Sequence, residues 1–248
     1  MYPLKILLAC LALIAGQDAM AQNPAEIVER MDSQMRGESS YAEMTMTIER
    51  PRYTREVRFR SWSLGRDYSM ILITAPSRDE GTAFLKRDNE IWNYIPNVDR
   101  TIRMPPSMMS QSWMGSDFTN DDLVRETSIV DDYSHEILRE EEYNGRDAWV
   151  IEMIPDPDAP VVWGKVHVWV CKKDYIQLRT ENFDQSGNLA QTLELDRIKE
   201  LGGRTLPSRM IMTPSDKDQR TILEYHKLEF DISEDERFFT QRNMQRLR

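Results

Sequence analysis

Cysteine is almost absent from this sequence. Only Cys10 and Cys171 occur in 248 residues. Cys10 falls in an N-terminal segment expected to be removed, so no internal disulfide is expected and an ordinary apolar core must hold the fold. Histidine is nearly as scarce. His135, His167 and His226 lie on three separate predicted strands without metal-ligand spacing, and neither HExxH nor CxxC occurs. The GxSxG elbow, the phosphate-binding loop and the GxGxxG stretch are missing too. Carboxylates are plentiful, but the spacing of a calcium loop is not there. Asp121-Asp122, Asp131-Asp132 and Glu140–Glu142 read instead as solvated loop and edge positions. No metal or other cofactor is implied, and the expected protein is not an enzyme. Net positive charge is also lacking. The formal charge of −10 argues against a nucleic-acid partner and against passive adhesion to anionic headgroups.

Long apolar runs are missing as well. Ile6–Ala15 (ILLACLALIA) spans ten residues, short of the roughly 18–20 that cross a bilayer. A weakly positive start precedes it, and the small residues Ala19 and Ala21 follow. Residues 1–21 therefore read as a secretory signal peptide cut before Gln22. Leu7-Leu8-Ala9-Cys10 is similar to a lipoprotein cleavage box, but the apolar core continues past Cys10. A soluble exported chain is expected, with residues 22–248 as one domain. Its one cysteine, Cys171, sits in the strand-like VHVWVCKK and is expected to be buried.

What is present has two periodicities. Asn23 can cap a helix, Pro24 suits its first turn and Glu26 completes a capping-box pattern. Ile27, Met31 and Met35 recur every four residues up to Gly37. The spacing predicts one amphipathic helix of about four turns. Beyond it the pattern changes to period two, from AEMTMTI through GKVHVWVCKK to QRTILEYHKLEFD. Asn144-Gly145, Ser186-Gly187-Asn188 and Gly202-Gly203 mark turns. Roughly ten to twelve strands are expected, as in a β-sandwich or barrel. The clearest break is Pro105–Asp132, read as a long loop with a helical turn or two. A curled antiparallel sheet whose concave face is covered by the helix and this loop encloses space that side chains need not fill.

Thirteen methionines follow residue 21. Methionine fills irregular gaps and recurs on surfaces that accept varied apolar partners. Met44, Met46 and Met70, with Phe59, Leu72, Trp92 and Tyr94, are candidate cavity positions on strands. Met104, Met108, Met109, Trp113, Met114 and Phe118 crowd into a segment that should be surface loop. They are candidate lid residues that plug the concave face or cover an apolar ligand. Gly115 supplies a positive φ, and Asp117 is expected to bond nearby backbone N–H groups. With Ser116 they shape the loop, and Asp117 is structural rather than catalytic. Arg50, Arg52, Arg55, Arg58 and Arg60 read as a solvated strand face or, alternatively, as an edge meeting an anionic partner.

Residues 86–123, KRDNEIWNYIPNVDRTIRMPPSMMSQSWMGSDFTNDDL, carry Trp92, Tyr94, Pro96, Arg100, Ile102, Met114–Phe118, Asp122 and Leu123 in the pattern of the LolA-like outer-membrane lipoprotein-sorting proteins. FFTQRNMQRL at 238–247 is similar to that family's closing stretch. The resemblance covers essentially all of residues 22–248. It implies an unclosed antiparallel β-barrel of about eleven strands with helices as a lid, mainly β with some α. It implies a periplasmic carrier that binds acyl chains of a lipoprotein or other lipid and moves them toward the outer membrane; a lone domain with a covered cavity is expected to be a monomer. A partner among RND- or ABC-type inner-membrane export systems is implied too. The alternative is a non-enzymatic sensor or accessory module of such a system. The family's lid-latching arginine has Arg100 and Arg103 as candidates here.

Overall fold

The structure, a computed structural model, describes residues 22–125, 129–159 and 161–247. The expected signal peptide lies outside them. The predicted helix is α1 (Pro24–Arg36), whose first turn is capped by Asn23 Oδ1 accepting from the Ala25 N–H at 3.1 Å. Gly37 ends it at φ +66°, a conformation that costs glycine little. Ile27, Val28 and Met31 form its buried stripe.

Thirteen strands form one antiparallel sheet that does not close. The first six are β1 (Ser39–Arg50), β2 (Tyr53–Leu64), β3 (Tyr68–Ala75), β4 (Ala83–Arg87), β5 (Glu90–Ile95) and β6 (Arg100–Arg103). The other seven are β7 (Tyr133–Tyr143), β8 (Arg146–Pro155), β9 (Lys165–Cys171), β10 (Gln177–Phe183), β11 (Leu189–Leu201), β12 (Arg204–Pro214) and β13 (Arg220–Phe230). The strand missing from the expected count is β6, a four-residue exposed edge. Two meanders, β1 to β6 and β7 to β13, are joined where β1 pairs with β13. Consecutive strands β6 and β7 therefore stand at opposite edges of the sheet. Residues 104–132 must connect them, which is where the sequence predicted its break. They do so with short turns at 106–108, 113–115 and 121–125 rather than a regular lid helix.

Strand parity sorts side chains to two faces. On the concave face, Ala42, Met44, Met46, Phe59 and Ile71 meet residues of the connector in one apolar cluster. On the convex face, Trp62, Met70, Leu72, Leu85 and Tyr94 form another, closed over by Phe239 and by Met244 of α2 (Gln241–Met244). Phe239 lies 5.7 Å from the Tyr68 ring and 5.3 Å from Phe238. The C-terminal run is thus a cover for the outside of the sheet. Cys171 is a buried free thiol, as expected.

Because Phe239 is fully buried, Phe239→Ala is expected to cost about 3–5 kcal/mol in urea denaturation. A loss below about 1 kcal/mol, far under that range, would show that the C-terminal cover is not part of the core.

Candidate functional site

Between the sheet, α1 and the connector lies a cavity of about 350 Å³. Strand register explains its continuity. Ser61 of β2 opposes Ile71 and Ala42, Met44 opposes Phe59 and Tyr225, and Met210 opposes Leu223 and Leu195. All of these line the cavity, so one inward row crosses many strands without interruption. Met31 and Met35 of α1 close one side, and Phe118 and Leu123 of the connector another. The face of α1 left without a stated partner by the sequence packs here.

The predicted site residues divide three ways. Met44, Phe59 and Phe118 line the cavity. Met46, Met104, Met109 and Trp113 are buried in the cluster around it, with Met108 and Met114 packed against that cluster. Trp113 is completely buried, with its ring 5.3 Å from Phe59 and 5.5 Å from Phe84. Met70, Leu72, Trp92 and Tyr94 lie on the convex face under the C-terminal cover, away from the cavity. The apolar run MILIT hides this, because both faces of β3 are covered and alternation disappears. Conversely, Met153, Met210 and Met212 line the wall, positions that composition leaves between core and cavity.

The connector is held by a polar hook that the sequence reading places elsewhere. The Asp117 carboxylate accepts from Arg50 Nη1 at 2.9 Å, Thr221 Oγ1 at 2.7 Å and Gln219 Nε2 at 2.5 Å. Arg50 Nη2 also donates to the Gly115 carbonyl at 2.9 Å. Arg55 donates to the Met114 carbonyl at 2.9 Å and pairs with Asp79 at 2.6 Å. So the arginines that grip this loop are Arg50 and Arg55. Arg103 pairs with Glu90 on an exposed edge, and Arg100 is exposed. The local backbone bond expected of Asp117 is made by Ser116, whose Oγ accepts from the Phe118 N–H at 3.2 Å. Gly115 takes φ +78°, and Met114 before it +52°. Arg50 and Asp117 side chains are 11% and 3% exposed, so the pair is strong only while both members are present.

Asp121 and Asp122 also depart from the solvated reading. Asp121 is buried, and both line the cavity. Asp122 accepts from the Thr119 N–H at 2.8 Å, while its own N–H donates to Thr119 Oγ1 at 3.1 Å. Burial pushes its carboxyl up to about 6 despite those bonds. At the rim, Asp32 of α1 holds Arg36 at 3.3 Å and Arg66 at 3.0 Å, and Arg66 reaches Asp131 at 2.7 Å. The histidines are engaged separately. His167 pairs with Glu152 at 2.9 Å, His226 lies 2.7 Å from Thr45 Oγ1, and His135 donates to the Ile129 carbonyl at 2.7 Å. Among the described residues no group of three or more His, Cys, Asp or Glu is placed to hold a metal.

An open half-barrel with a strapped, apolar interior is a binding fold. A family model described as that of an uncharacterized protein matches residues 65–246, and the chain belongs to that family; its fold is similar to that of solved LolA-like and lipoprotein-sorting structures. A candidate outer membrane lipoprotein-sorting protein domain from Vibrio parahaemolyticus is 27% identical, with a TM-score of 0.80 over 90% of this chain and 98% of that one. A DUF1329 family protein from Desulfovibrio piger is 24% identical, with a TM-score of 0.82 over 90% and 100%. A LolA superfamily protein from Nitrosomonas europaea is 24% identical, with a TM-score of 0.78 over 90% and 99%. No curated protein matches the chain.

Arg50→Ala leaves Asp117 buried without its charge partner, so it is expected to destabilise by about 3–5 kcal/mol and to expose 104–125 to proteolysis. Unchanged stability and cleavage would remove the hook from the account. Asp122 gives a pH signature. Its folded pKa lies above the unfolded value, so the folded state binds the extra proton. Stability should rise as pH falls from about 6 toward about 4, and be lower above that window. Asp122→Asn should melt higher than the parent at pH ~7.5 and show a flatter profile across that window.

Proposed function

We propose that this chain is a periplasmic carrier. In this reading residues 1–21 direct export and are removed, and residues 22–248 act as one domain. The domain takes up acyl chains of a lipoprotein or another lipid and helps move them toward the outer membrane. The observation that carries the reading is the cavity itself, about 350 Å³ and walled mostly by apolar side chains, methionines and leucines prominent among them. That volume falls near the lower end of the ~300–1,000 Å³ usual for small-ligand sites.

The energetics favour reversible capture. Burying acyl chain yields roughly 0.8 kcal/mol per CH₂, so a chain of about twelve carbons gains about 10 kcal/mol before costs. Flexible thioether side chains such as Met31, Met35, Met44 and Met210 line the space. They can repack around chains of different shape without a fixed template. Phe118 and Leu123, which cover the cavity, belong to the same connector that Asp117 hooks to β1 and β13. Loading therefore competes with the apolar contacts of that connector, which keeps the net affinity moderate and release feasible. Membrane donors and acceptors, including RND- or ABC-type systems, belong to this proposal.

Chain purified from a Gram-negative periplasm is expected to show an acyl species by native mass spectrometry and lipid extraction. Met210→Trp, which adds bulk to the cavity wall, should carry less than about a tenth of that lipid, a shift of more than about 1.4 kcal/mol, with its melting temperature retained. A clean apo mass with no uptake of added phospholipid or lipopeptide would sink the carrier reading. Lipid uptake without exchange between vesicles would leave the accessory module in its place.

A further inference from the structure

The cavity is not uniformly apolar. Thr180 and Asn182 of β10 line it, and both are buried. Asn182 stands directly opposite Gln191 of β11 in the strand register. Gln191 is not itself among the residues lining the cavity, but it shares the inward parity of Leu193 and Leu195, which are. Only 6% of Gln191 is exposed, and its Nε2 has no hydrogen-bond partner among the described residues. A buried amide donor without a partner is left desolvated and uncompensated, which destabilises the fold. Two carboxamides side by side on the inner face are therefore a poor solution for packing alone. They suit a ligand that brings its own acceptor.

Charge narrows the chemistry of that acceptor. Among the described residues the one cation on the cavity wall is Arg36, already paired with Asp32. Asp32 of α1 and Asp121 and Asp122 of the connector line the same cavity. A carboxylate or phosphate placed at β10 would meet neutral amides in a cavity that already carries three carboxylates. A neutral carbonyl accepts from an amide N–H at no such penalty. We propose that Asn182 and Gln191 form a subsite for the carbonyl of an ester- or amide-linked acyl chain, with the hydrocarbon running along the Met210–Leu223 wall. This rests on the carrier reading and specifies its cargo as acyl-linked and uncharged at the linkage, not as a free fatty acid.

Delipidated chain is titrated by calorimetry with monomyristoylglycerol and with its alkyl ether analogue of equal length. The pair differs only in the carbonyl and keeps the glycerol hydroxyls constant. The ester is expected to bind about threefold to tenfold more tightly, the range of one net hydrogen bond. Gln191→Leu and Asn182→Leu should each reduce that preference while leaving ether affinity in place. Gln191→Leu should also raise the melting temperature, because it removes the unpartnered donor. Equal binding of ester and ether by the parent chain overturns the subsite while leaving the carrier intact. So does a preference that survives in both variants. Binding of neither probe overturns the carrier reading, and this inference falls with it.

Discussion

An open sheet whose sequence-adjacent strands end up at opposite edges is the constraint on which the rest of this molecule depends. Because β1 pairs with β13, the two meanders grow outward from a common seam and leave β6 and β7 far apart in the order. The chain between them has to bridge that separation. A surface route would expose the Met- and Trp-rich stretch to water. Passing it across the concave face buries Met104, Met109, Trp113, Phe118 and Val124 instead. The connector is therefore both a link and a partial core. The unclosed sheet needs that core because its inner face has no second sheet to pack against.

A segment that serves as core must still be held in place, and this one is held at its turn by charge. Asp117 gathers Arg50, Gln219 and Thr221, and Arg50 reaches back to Gly115. These partners come from β1, β13 and the turn before β13, the seam of the two meanders. The hook thus fastens the connector to the part of the sheet farthest from either edge. Downstream, Phe118 and Leu123 face the cavity beside Asp121 and Asp122. The connector is thus fixed by charge at its turn and by burial of Phe118 and Val124 beyond it.

Much of this was legible in the sequence, and the failures have physical causes. The capped helix, the strand run, the break at 105–132 and the burial of Cys171 follow from local chemistry: capping residues, period two, prolines and a thiol in an apolar run. Strand β6 escaped because RTIR has one apolar residue and no alternation to read. Local pattern assigns Met70 and Leu72 to the cavity side because β3 is buried on both faces and shows no alternation. The cover that causes this is the distant C-terminal segment with Phe239. Arg50 and Arg55 looked like members of a solvated row, since nothing local distinguishes them from Arg52 and Arg58. Their partners Asp117 and Met114 are 67 and 59 residues away. Contacts at that separation leave no periodic trace in a single sequence.

The cavity itself follows from what the inner face carries. A sheet that meant only to pack would fill its inward positions with branched apolar residues and bury no unpaired amide. Here the inner row mixes methionine with Ser61, Thr180 and Asn182, and beside them sits Gln191, whose Nε2 has no partner among the described residues. Small and flexible residues leave volume, and polar ones leave unmet hydrogen-bonding capacity. Both lower the stability of the empty protein, and under the proposed carrier function both would be recovered by an amphiphile that filled the space. The connector, the hook and the convex C-terminal cover supply stability elsewhere. They allow one face of the sheet to remain underpacked without losing the fold.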